Sequence, residues 1–177
     1  MKTDSPSPAF DFDAHLLSGS QALFLQLVQE VDWDERMKAR KTASYGVSYD
    51  YSQMTYPARP MLPSLQAVAD RVAPRVGFAP NNCLLNYYED GSASMGFHSD
   101  SAEELAPGTG VAIVSLGSER EIVFRSKADR SLEHCLLLPS GSLLYMPPSS
   151  QEDWLHAIPK TEGVGPRISL TFRLILK

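Results

Sequence analysis

Residues 167–173 read Arg-Ile-Ser-Leu-Thr-Phe-Arg, and their alternation decides how the chain is read. On a strand, positions two apart share a face. Arg167, Ser169, Thr171 and Arg173 therefore point one way, while Ile168, Leu170 and Phe172 point the other. A face carrying two guanidinium groups does not pack into an apolar core. It either lines a polar cavity or belongs to a solvent-facing edge strand. In the first case the planar forks of Arg167 and Arg173 match carboxylates bidentately, and two of them suit a dicarboxylic acid.

Upstream of this stretch, runs rich in β-branched and aliphatic residues recur about every ten residues. They lie at 83–88, 111–116, 121–125, 133–138 and 142–146, with the last run at 168–176. Asp90-Gly91, Pro107-Gly108, Pro139-Ser140-Gly141 and Pro147-Pro148 separate them as turns, which predicts an antiparallel sandwich or barrel. Before residue 80 the pattern is helical. Leu23, Leu27 and Val31, with Phe24 and Val28, mark a helix from Ser20, and Leu65, Val68 and Val72 mark another over 64–75. Ser64 is placed to cap the second, with Pro63 just outside it. The Ser-Pro repeats near the start make 1–19 a disordered arm. The expected fold is α+β, mainly β: one domain over 20–177, with helical support over 20–79 and a β core over 80–177.

Composition narrows the class. The 177 residues, 43% hydrophobic and 21% charged, can bury one core. No apolar run reaches the roughly 20 residues of a membrane span, so no membrane partner is expected. Cys83 and Cys135 form no CxxC pair, which fits a reducing, cytoplasmic setting and a monomer. The net charge of −5 speaks mildly against gripping nucleic acid through phosphates alone.

Two of the four histidines stand in suggestive places. His98 and Asp100 form an H-x-D pair whose side chains share a face of an extended segment, and His156 follows between the last two β runs. Two imidazoles and a carboxylate on a β scaffold make the facial arrangement that holds non-haem Fe(II) with open positions. The alternative is a polar turn with a surface histidine beside an aspartate. His134-Cys135 has no partner at useful spacing and is read as structural, and His15 receives no role.

The order Asn86-x-Tyr88, Asp90-Gly91, His98-x-Asp100, Trp154-x-His156, Pro159-Lys160 and Arg167-x5-Arg173 resembles the AlkB-type Fe(II)/2-oxoglutarate dioxygenases. ELAPG at 104–108, VAIVSLG at 111–117 and Val-Phe-Arg at 123–125 are similar to the DNA-repair branch. Arg40-Lys41-Thr42, Tyr45-Gly46 and Tyr49-Asp50-Tyr51-Ser52 resemble its substrate lid, so that the likeness runs from Arg36 to Lys177. The resemblance implies a double-stranded β-helix, or jelly roll, with an N-terminal lid. It implies Fe(II) held by His98, Asp100 and His156, and 2-oxoglutarate held by Asn86, Tyr88, Arg167 and Arg173 with Ser169 on the same face. O2 would be the oxidant. The cosubstrate would go to succinate and CO2, and a hydroxylated N-alkyl carbon would leave as an aldehyde. The partner implied is alkylated DNA or RNA, met in the cytoplasm, nucleoid or nucleus.

Departures from the family pattern concern the substrate. Ser101 and Ala102 stand where repair members carry base-reading acids, with Glu103 and Glu104 displaced beyond them. Ser169 replaces a frequent Asn, and before Arg40 only Met37 could serve as an apolar wedge for opening a duplex. Arg36, Lys38, Arg40 and Lys41 form a basic cluster, read either as a phosphate contact or as a solvated face. Tyr49 and Tyr51, with Tyr45, either stack on a base or pack within strands. Two rival readings therefore stand: the same chemistry on a small molecule or protein side chain, and a non-catalytic binding protein of the same fold.

Overall fold

Six of the strands form one antiparallel sheet in the order β1-β10-β7-β12-β5-β2. They are β1 (Asp11–Asp13), β2 (Lys41–Gly46), β5 (Asn82–Tyr88), β7 (Val111–Gly117), β10 (Leu143–Met146) and β12 (Arg167–Arg173). Four more, β6 (Met95–His98), β8 (Arg120–Ser126), β9 (Glu133–Leu138) and β11 (Trp154–Ile158), form a second sheet in the order β6-β11-β8-β9. A small hairpin pairs β3 (Tyr49–Tyr51) with β4 (Met54–Tyr56). Three helices complete the chain: α1 (Ser20–Glu30), α2 (Pro63–Val76) and α3 (Pro148–Asp153). This computed structural model describes residues 5–51 and 54–176, so Ser52 of the lid motif and Lys177 lie outside the described residues.

The alternation of β12 explains the layering. Ile168, Leu170 and Phe172 bury their side chains in one core with Phe24 and Leu27 of α1 and Leu65 and Val72 of α2. A second core joins Tyr88, Val111, Ile113, Leu144 and Met146 of the larger sheet to Ile122, Phe124, Leu138, Trp154 and Ile158 of the smaller one. The helices thus cover the outer face of the larger sheet, and its inner face meets the smaller sheet as in a jelly roll. β12 lies centrally between β5 and β7, so its polar face is an interior one rather than a solvent-facing edge.

The β runs read from the sequence fall on β5, β7, β8, β9, β10 and β12, with the last ending at Arg173 rather than at 176. Three features differ. Within the expected disordered arm, β1 pairs with β10 along Asp11–Asp13, and Leu17 donates to Gly141 O at 3.0 Å. An edge strand offers unpaired amides and carbonyls, and a three-residue segment that satisfies them needs little hydrophobic signal of its own. Ser64 does not cap α2. Pro63 is already helical, where its missing N–H is no loss, and Ser64 Oγ instead donates to Glu30 Oε1 at 2.8 Å. Finally, β2, β6 and β11 form although their periodicity was too short to register, and Pro147-Pro148 opens α3 rather than a simple turn.

Gly91 sets the packing of the loops behind the smaller sheet. A Cβ there would meet Thr161 O at 1.6 Å, while the Thr161 amide donates to Gly91 O at 2.9 Å. Only glycine permits that approach. Among the described residues, no helix is long and apolar enough to cross a membrane.

Candidate active site

Strand register assembles the site. His98 of β6 lies directly opposite His156 of β11, with ring centroids 4.3 Å apart. Just past the end of β6, Asp100 completes a set whose ligand atoms all lie within 4.8 Å of one another. His98 Nδ1 sits 3.0 Å from Gly96 O, which leaves Nε2 on the Asp100 side, 3.7 Å from Oδ1. A second hydrogen bond of this kind fixes ring orientation and tautomer in metal sites. Asp100 is held twice: its amide donates to Gln151 Oε1 at 2.8 Å, and Arg173 Nη2 donates to Oδ2 at 3.0 Å. Oδ1 is left toward the histidines.

Electrostatics favour the metal-ready protonation states. Burial, and then the neighbouring His98, lowers the His156 pKa to about 4, so its imidazole is neutral with a free lone pair. Burial alone would raise the Asp100 carboxyl; Arg173, His156 and His98 outweigh it and hold the pKa below the usual value. Both groups titrate lower folded than unfolded, so the stability they carry is present at neutral pH and lost as pH falls. For His156 the loss should span about pH 6.5 to 4. Melting temperatures measured in chelator across that window should fall with acidification, and a His156→Gln variant should flatten the slope.

The polar face of β12 lines the same cavity. Asn86 and Tyr88, its register partners on β5, line it together with His98, Asp100, His156, Arg167, Ser169 and Arg173. Ile113, Ile122 and Ile158 supply apolar wall. Arg167 is fully buried and donates one hydrogen bond, from Nη2 to Ser115 Oγ at 2.8 Å. Among the described residues its Nε and Nη1 have no hydrogen-bond partner. Burial lowers its pKa, and the Tyr88 ring lies 5.2 Å from the guanidinium. A buried cation with open donors is costly unless an anion meets it, so the cavity is built for one. The donors thus fit both groups in question: two imidazoles and a carboxylate for a divalent ion, and an open guanidinium fork for a carboxylate.

Tyr49 and Tyr51 stand at the mouth of this cavity. Their rings stack at 6.3 Å and 20°, and both border an outer recess with Met37, Phe97, His98 and Asp100. The basic cluster, however, is dispersed. Arg36 pairs with Asp34 at 2.5 Å, Lys41 with Glu35 at 2.9 Å and Glu89 at 3.4 Å, and Arg40 is buried. Lys38 alone of the four is exposed without an ion pair among the described residues. His134 is structural: its Nε2 lies 3.0 Å from Pro6 O, and its ring meets Trp154 edge-on.

Sequence reading missed Ser115, Arg120 and the true setting of Arg40. Arg120 is fully buried, donates to the carbonyls of Ala93 and Pro159 at 2.9 and 2.6 Å, and lies 5.4 Å from the Tyr88 ring. It ties together the loops that precede β6 and follow β11. One signal was available: an arginine just ahead of the apolar stretch Ile122–Phe124.

Comparison with known proteins agrees with this geometry. Residues 11–173 match the family described as the 2OG-Fe(II) oxygenase superfamily. The chain is 40% identical over 148 residues to mouse (Mus musculus) "DNA oxidative demethylase ALKBH2", which covers 77% of this chain and 62% of that protein. It is 32% identical over 170 residues to mouse "Alpha-ketoglutarate-dependent dioxygenase alkB homolog 3", covering 85% and 59%. The chain thus spans about three fifths of the length of these relatives. The solved structure described as "The structure of OsALKBH1" superposes with a TM-score of 0.70 at 16% identity, over 96% of this chain and 100% of that one, which bears on the fold alone. A β sandwich whose interior joins an H-x-D…H cluster to an unpaired arginine, matched along nearly its whole length, places the chain in the 2OG-Fe(II) oxygenase superfamily as an AlkB-like member.

Proposed function

We propose that this chain is an Fe(II)- and 2-oxoglutarate-dependent dioxygenase that removes N-linked alkyl groups oxidatively from nucleobases in DNA or RNA, releasing an aldehyde. The observation that carries the reading is the single cavity shared by the His98–Asp100–His156 cluster and the unpaired donors of Arg167. The name DNA oxidative demethylase carried by relatives at 38–40% identity supports its substrate half.

In this reading His98, Asp100 and His156 hold Fe(II), which supplies activation of O2 when bound. Arg167 would take the distal carboxylate of 2-oxoglutarate, and Tyr88, Asn86 and Ser169, which line the same cavity, would help to hold the molecule. Arg173 keeps Asp100 ionised and lies at the metal end. The isoleucine wall limits water around the reacting groups. At the mouth, Tyr49 and Tyr51 offer a planar wall for a base turned out of its stack.

Two observations favour a second reading, oxidation of a small amine or a protein side chain: Ser101 and Ala102 carry no base-reading carboxylate, and of the basic cluster Arg36 and Lys41 pair with carboxylates while Arg40 is buried. Methylated oligonucleotides and small amines, each offered with Fe(II) and 2-oxoglutarate at low salt, separate the two. The nucleobase reading expects oligonucleotides to stimulate succinate formation, with affinity falling as salt rises. Stacking on an aromatic side chain contributes roughly 1–3 kcal/mol per base, so Tyr51→Ala should raise the oligonucleotide KM about tenfold while basal decarboxylation changes little. Stimulation by the small amines alone would transfer the assignment to the second reading.

A further inference from the structure

Arg40 lies just before β2 and is 8% exposed. Its three nitrogens reach three separate segments. Nε donates to Asn86 Oδ1 on β5 at 2.8 Å, Nη1 to Ser94 O in the loop before β6 at 3.0 Å, and Nη2 to the Tyr51 hydroxyl on β3. The guanidinium also lies 5.6 Å from the centre of the Tyr51 ring. It is thus a clamp between a wall of the substrate mouth and a residue of the inner cavity, and its burial sets it apart from a surface phosphate contact.

The contact with Asn86 carries the inference. A side-chain amide has an accepting end and a donating end, and either can face a given direction until a neighbour decides. Arginine has donors only. Its bond therefore holds the Asn86 oxygen on the Arg40 side, and the amide's NH2 is the end that remains to be offered to the cavity Asn86 lines. A 2-oxo acid presents oxygen acceptors, so an NH2 facing it attracts and a carbonyl oxygen facing it repels. We propose that Arg40 is a positioning residue: it fixes the Asn86 amide as a hydrogen-bond donor toward the cosubstrate and ties that amide to the Tyr51 wall. The inference rests on the cosubstrate reading of Asn86 given above.

The test is calorimetric titration of 2-oxoglutarate into the full chain loaded with Mn(II), which binds without turning over. Arg40→Met should weaken binding about tenfold, as should Asn86→Leu. The double variant should be no more than about twofold weaker than either single one, because Arg40 acts through Asn86. Arg40→Lys, which keeps the charge without the fork, should fall between and serves if the Met variant does not fold. Parent-like binding by Arg40→Met, or fully additive losses in the double variant, would overturn the proposal while leaving the cosubstrate site standing. Absence of 2-oxoglutarate binding by the parent chain itself would overturn the site reading and this inference with it.

Discussion

His98→Ala is expected to abolish stoichiometric Fe(II) binding and all turnover while leaving the chain folded. His98 supplies one of three donors, and its side chain is the most exposed of the three, so its removal leaves little buried polarity behind. Asp100→Ala should remove the metal equally but with a different stability outcome. Arg173 is almost fully buried and, among the described residues, its Nε and Nη1 have no hydrogen-bond partner and Asp100 is its one ion pair, which the substitution strips. Breaking a buried pair from one side costs about 3–5 kcal/mol, so Asp100→Ala should also melt markedly lower than the parent. Metal content by atomic absorption, measured beside a thermal melt, separates the two effects. Full iron occupancy in both variants would exclude these ligands.

Arg167→Lys is expected to weaken 2-oxoglutarate binding by about ten- to a hundred-fold, with a smaller effect on the chemical step at saturation. The fork matters here. Ser115 takes only one of the two Nη2 hydrogens, so the other, with the open Nε or the open Nη1, forms an edge that can meet a carboxylate with two parallel bonds. An ammonium is a point charge and offers no such edge, so the loss corresponds to roughly 1.5–3 kcal/mol of charge-assisted bonding. A companion outcome runs the opposite way. In the absence of cosubstrate the Arg167 cation is buried with two donors unmet, so Arg167→Met, similar in length and apolar, should melt at or above the parent while binding no 2-oxoglutarate. An Arg167→Met variant that binds the cosubstrate normally would remove Arg167 from the site.

The β12 alternation shows what a sequence makes legible. Period-two patterning is local, so seven residues were enough to separate the helix-facing apolar side from the cavity-facing polar one. His98-x-Asp100 was legible for the same reason. Two of the three helices, α1 and α2, were legible too, since each carries apolar positions at helical spacing. What stayed hidden depends on contacts between distant segments. Arg40 meets Asn86 across 46 positions and Arg167 meets Ser115 across 52, and no local pattern announces either pair. The basic cluster misled because its charges are answered by Asp34 and Glu35 in the same stretch and by Glu89, which β2 pairing with β5 brings beside Lys41. β1 escaped notice because a three-residue strand draws its stability from the edge it joins.

The central claim is that one cavity holds a metal at His98, Asp100 and His156 and the distal carboxylate of 2-oxoglutarate at Arg167. A crystal structure of the chain grown with Mn(II) and 2-oxoglutarate tests it most directly. The account predicts an anomalous peak about 2 Å from a nitrogen of each histidine and from an Asp100 oxygen, with the cosubstrate's far carboxylate paired to the Arg167 guanidinium across one of its Nη2-containing edges. An ion bound elsewhere, or a cosubstrate that leaves the Arg167 fork empty, would contradict it.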